Sequence, residues 1–211
     1  MPAGGHLDVC IRVATVVVPV ALYFLVLGLL NTRRTPQVLG GRLDFALLMG
    51  AMSPLFVVPV LHAVGFSAAH LAAACGVVAC GILVLAPPGQ LWVVYNASPL
   101  EAEHAVASAL NALGCTWKKT GHAFQIDGGS GTVLVTHFPL LRNVSVRFSG
   151  DEGRGANFGR ELGHALARVS AEPSAMAVAL LVVAMVMLVA PLALMANEAG
   201  QIVRLLTDLL N

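Results

Sequence analysis

Residues Leu91 to Cys115 read LWVVYNASPLEAEHAVASALNALGC, a passage with the pattern of a water-soluble α/β domain set into an otherwise apolar chain. Leu91 to Tyr95 is short and rich in Val and aromatic residues, which is the composition of a strand. Ser98-Pro99-Leu100-Glu101 then marks a helix start. Ser98 is placed to accept from a first-turn amide, Pro99 lacks only a donor that the first turn leaves unpaired, and Glu101 is placed to reach back as the acid of a capping box. Val106, Ala109, Leu110 and Leu113 form one apolar stripe, and Gly114 ends the helix in the left-handed conformation that glycine tolerates.

Downstream, three strands are expected over Thr116 to Ile126, Thr132 to Phe138 and Asn143 to Phe148, with Asp127-Gly-Gly-Ser-Gly131 as a hairpin turn. In the last of them Val144, Val146 and Phe148 alternate with Asn143, Ser145 and Arg147, which gives a buried face and a wet one. A second helix, about Ala156 to Val169, repeats Phe158, Leu162, Ala165, Leu166 and Val169 at helical spacing. The order predicts a two-layer α+β domain over residues 90–172, with both helices on one face of a mostly antiparallel sheet. About 80 residues bury only roughly 60% of their unfolded surface, so the domain is expected to lean on its membrane helices, a partner or a second copy.

Outward from this passage the chain turns apolar. Hydrophobic residues make up 57% and charged ones 11% of the 211 residues, with a mean hydropathy of +0.82, far from the soluble balance. The class is an α-helical integral membrane protein with four transmembrane helices arranged 3+1 around the inserted domain. Three spans fall in residues 1–89, at about 9–30, 43–64 and 66–86; the fourth, about 175–196, opens the 173–211 segment, each near the 20 residues a bilayer requires. The tail after Asn197 reads as an amphipathic surface helix, with Ile202, Val203, Leu205, Leu206, Leu209 and Leu210 opposite Gln201, Arg204 and Asp208. Pro54 and Pro59 predict a kink in the second span. In the third, Ala72, Gly76 and Cys80 recur every four residues, a small surface suited to a central packing helix or a dimer seam.

Arg33, Arg34 and Arg42 in the loop 31–42, with Arg160 and Arg168 ahead of the fourth span, place that loop and residues 90–172 in the cytoplasm and both termini outside. The plasma (inner) membrane is the expected location. Net charge is +1, and the basic residues of the insert are balanced by acids, which excludes a nucleic-acid footprint. Cys10, Cys75, Cys80 and Cys115 have no metal or redox spacing and read as small hydrophobes.

Three groupings bear chemistry. Gly153-Arg154-Gly155, with Arg160 one turn into the second helix, Arg147 on the preceding strand and Arg142 just before that strand, suggests a cradle for a small anion or phosphate at a positive helix end. Glu101 with His104, and Glu161 with His164, repeat a Glu-x-x-His spacing, so two helices on one sheet face would bring two half-sites for a metal together. His6, His62 and His70 stand toward the outer ends of the spans and offer a metal or haem alternative to the expected absence of any cofactor. Nucleophile, zinc-protease and Walker motifs are absent. The reading is therefore a scaffold or accessory subunit, leaning away from catalysis, which meets lipid and a protein partner or its own copy. The alternative is a sensory or ligand-binding module for a small anion, with an enzymatic role left open.

Overall fold

A computed structural model describes residues 4–127, 131–138, 142–172, 174–197, 200 and 207. The amphipathic tail expected after Asn197 lies outside these, apart from Gly200 and Thr207. Among the described residues, four helices are long and apolar enough to cross a membrane: α1 (Gly4–Thr32), α2 (Gly41–Val64), α3 (Ala68–Leu85) and α6 (Ala175–Asn197). α2 runs continuously through Pro54 and Pro59. Pro54 has no amide to offer the Gly50 carbonyl one turn back, and the Ser53 hydroxyl bonds that carbonyl instead, at 2.8 Å.

The central helix is α1, which packs on both α2 and α6. Gly28 lets α6 approach closely: a side chain there would meet Leu181 at 2.7 Å. Buried Ala177 and Ala184 complete the contact from α6. α3 is not the central helix that its small residues suggested. It packs chiefly on α2 and buries none of its own residues, and Ala72, Gly76 and Cys80 are exposed. The close-packing role fell to α1 and α6 because their small residues face one another; the stripe on α3 faces outward.

The domain holds one antiparallel sheet of six strands in the order β1-β2-β6-β5-β4-β3. These are β1 (Gln37–Gly40), β2 (Gln90–Tyr95), β3 (Trp117–Thr120), β4 (Ala123–Ile126), β5 (Gly131–Phe138) and β6 (Asn143–Gly150). Two features depart from expectation. The polar loop between the first two spans contains β1, paired Gln37 to Tyr95 and Gly40 to Trp92. The strand expected over Thr116 to Ile126 folds back at Gly121, whose φ of 60° suits a tight turn, and becomes the β3–β4 hairpin.

Helices α4 (Pro99–Ala112) and α5 (Glu152–Leu166) cover one face, as expected. The capping box is complete, with the Ser98 hydroxyl accepting from the Glu101 amide at 3.2 Å and Glu101 accepting from the Ser98 amide at 2.6 Å. Gly114 follows with a φ of 68°. Val106, Leu110, Phe158, Leu162 and Leu166 are fully buried against Val94, Phe124, Val133, Val144 and Val146. The other face is not uniformly wet. At β1 and β2, Leu39, Val93 and Tyr95 pack on Tyr23, Phe24, Leu27 and Leu30 of α1 and Leu180 of α6. The spans thus act as a third layer beneath the β1–β2 end of the sheet.

Candidate functional site

The residues that deserve a functional reading lie where the sheet meets the helix ends. Asn31, in the last turn of α1, is 1% exposed and donates to the Leu27 carbonyl at 2.9 Å, while its oxygen accepts from the Asn96 amide at 3.0 Å. Asn96 leaves β2 with a φ of 56°, a conformation asparagine tolerates, and its side-chain Nδ2 donates to the Arg33 carbonyl at 2.8 Å. The Tyr95 hydroxyl donates to Asp44 in the first turn of α2. Burial pushes the Tyr95 phenol well above its usual range, and the bond to Asp44 adds to the shift, so Tyr95 acts as a neutral donor. On the return path the Ala171 amide bonds the Arg34 carbonyl at 2.7 Å. Four polar links therefore tie β2 and the α5–α6 connection to the ends of α1 and α2.

Beside these links is a recess of about 600 Å³ lined by Arg42, Gly89, Gln90, Leu91, Arg147 and Glu152, among others. Arg42 and Arg147 are exposed at its walls. Glu152 is the one acid among the described lining residues, and its carbonyl accepts from the Gln90 side chain at 2.6 Å. The structure brings Arg147 here, but not the other members of the expected anion cradle. Asp151 caps α5 by accepting from the Arg154 amide at 3.1 Å, and its carbonyl takes the Gly155 amide at 3.0 Å. Gly155 is glycine because Gln90 occupies the space of a side chain, and a Cβ at Gly159 would meet Trp92 at 2.6 Å. These glycines let α5 lie close on β2. Arg160 bonds Asn157 at 3.0 Å on the outer face of α5. Arg142, at the far end of β6, donates to the Glu172 carbonyl at 3.2 Å and stands 3.9 Å from Glu101.

The paired Glu-x-x-His motifs do not converge. Glu101 is engaged as the helix cap, and His104 and His164 are exposed. No group of three or more His, Cys, Asp or Glu side chains able to hold a metal gathers among the described residues. At the opposite end of the bundle, Arg12 bonds His62 at 2.8 Å, and the His70 ring bonds the Gly65 carbonyl at 2.8 Å. His6 lies in α1, and its side chain is outside the described residues. The Arg12–His62 pair borders an apolar groove of about 780 Å³ between α1, α2 and α3.

One cluster had no sequence signal because its members come from α4 and the β3–β4 hairpin. Glu103 accepts from Lys119 at 2.6 Å and meets His122 at 3.3 Å. The Lys119 hydrogen bond holds the Glu103 carboxyl below its usual range. A depressed carboxyl stabilises the fold above its unfolded pKa and loses that contribution as pH falls through the folded one. Glu103→Gln is expected to cost about 0.5 to 1 kcal/mol at neutral pH. In pH-dependent denaturation, the gap between variant and parent should close in acid; a gap constant down to that range would count against the pair.

Compared with known proteins, the chain matches no family model, no curated protein and no solved structure.

Proposed function

We propose that this multi-pass membrane protein is a non-enzymatic scaffold or accessory subunit. It offers the outer surface of α4 and α5 to a protein partner, in the cytoplasm at the plasma (inner) membrane, with both chain ends outside. The observation that carries this reading is the integration of the domain into the bundle. β1 joins two spans and is also a strand of the sheet, while Asn31, Asp44 and the Arg34 carbonyl bond the domain directly. A domain that only had to be retained near a membrane would be served by a flexible linker. Fixed placement matters when a surface must be held at one height and angle. Arg154, Asn157, Arg160 and His164 form an exposed polar ridge on α5, on the side of the domain away from the spans. Arg33, Arg34 and Arg42 support the cytoplasmic placement.

Purification of the full chain in mild detergent tests the reading. A stoichiometric partner, or a defined oligomer, is expected, and Arg154→Glu with Arg160→Glu should release it without lowering the melting temperature of the domain. A lone monomer that is stabilised by inorganic phosphate would replace the scaffold by a ligand-binding module. A reporter fused at Asn211 that is active only in the cytosol should stay silent, and activity there would reverse the topology.

A further inference from the structure

The sheet is wider than the helix bundle it rests on. Leu91, Val93 and Tyr95 point from β2 toward the spans: Leu91 lies over Gly41 at the start of α2, where an added side chain would meet it at 2.7 Å, and the other two pack on α1. Side chains directly opposite one another in an antiparallel sheet share a face. Arg147 of β6 pairs with Leu91 and also with Leu134 of β5, so all three point to the side of the spans, away from α4 and α5. Phe138 stands four pairs further along β5, an even number, and so lies on that same face. Beyond β2, however, the face has left its protein support. Leu134 is 44% and Phe138 54% exposed, and Arg147 is exposed beside Arg42.

We infer that this overhanging face of β5 and β6 rests on the bilayer and binds anionic lipid, with a headgroup phosphate between Arg42 and Arg147 and with Leu134 and Phe138 entering the interfacial layer. Continuity is the first support. The face is an extension of the one already seated on the helix ends, and a bilayer around the spans meets it at the level of Gly41. Charge is the second. The strand positions of β5 and β6 on this face hold Arg147 and no acid, and Glu101, Glu103 and Glu161 belong to the layer of α4 and α5 on the other side; Glu152 borders the recess between Arg42 and Arg147, where the two arginines outweigh it. Basic side chains beside exposed apolar ones form the pairing that an anionic interface recruits. Sheet twist of about 20 to 25° per strand turns β4 and β3 progressively off the plane, so the contact is confined to β6 and β5. The inference stands apart from the partner reading, since it uses the opposite face of the domain.

The test reconstitutes the full chain, with its four cysteines replaced by serine or alanine, in nanodiscs of phosphatidylcholine alone or with one third phosphatidylglycerol. A nitroxide at Thr136→Cys, between Leu134 and Phe138, reports accessibility to oxygen and to a water-soluble nickel chelate; a second at His104→Cys on α4 is the aqueous reference. In the anionic discs the oxygen-to-nickel ratio at 136 should exceed that at 104 by about threefold or more, because oxygen concentrates in the apolar layer. It should fall toward the reference in Arg42→Glu with Arg147→Glu, while Arg147→Lys retains it. Unchanged melting of the domain in each variant separates loss of contact from loss of fold. Water-like ratios at 136 in both discs would overturn the inference, as would a ratio indifferent to lipid charge. So would shielding from both reagents, which would put a second protein on the face.

Discussion

Replacing Phe158 with alanine is expected to cost the domain about 3 to 5 kcal/mol, the range for a fully buried aromatic side chain. Phe158 has no exposed surface and joins α5 to two strands at once, edge-on to Trp92 and stacked on Phe148, with both ring centroids 5.6 Å away. Collapse of α5 into the vacated space is limited because Gly155 and Gly159 already bring its backbone against Gln90 and Trp92. A cavity that cannot relax puts the cost toward the upper end of the range. Urea titration of the full chain in detergent, followed by Trp92 and Trp117 fluorescence, measures it. A loss below about 1 kcal/mol would mean that α5 does slide inward, contrary to the packing described.

Asn31→Ala is the second large effect, and it strikes a different level of the structure. The substitution leaves the Asn96 amide buried without its acceptor, a loss of about 1 to 3 kcal/mol. Because Asn31 belongs to α1 and Asn96 to the exit of β2, the loss should fall on the docking of domain to bundle and leave the two-layer core intact. Limited proteolysis separates the two. Cleavage should accelerate in the connections around Pro87–Gly89 and Arg168–Glu172, while amide exchange in α4 stays at the parent rate. Equal acceleration in α4 would show that the link supports the core instead. Asn96→Ala in the same chain should add less than its separate effect, since both side chains serve one network.

The parts legible in the sequence are those whose cause is local. Ser98 and Glu101 cap a helix whatever lies beyond it, and the stripes of α4 and α5 need only a sheet to face. The spans follow from length and hydropathy. β1 was not legible because Gln37-Val-Leu-Gly40 is too short to show alternation and follows Pro36 in an arginine-rich loop; its strand state is imposed by β2, far along the chain. The junction was hidden for the same reason. Asn31 and Asn96 are 65 residues apart, and Tyr95 and Asp44 are 51 apart, so no spacing rule joins them. The Glu-x-x-His repeat failed in the opposite way: its spacing was real, but Glu101 had already been claimed by the helix end.

A strand borrowed from between two spans also changes what counts as a removable piece. Residues 90–172 cut out by themselves would lose β1, leaving the β2 edge with open amides and carbonyls and Val38 missing from its place against the core. Such an edge is a template for another chain. In the intact protein the short loop after the first span acts as an edge guard, held in place by anchors in the membrane on both sides. Protection against strand-to-strand aggregation is thus assigned to the bilayer-embedded part of the molecule, and an excised domain would leave that protection behind.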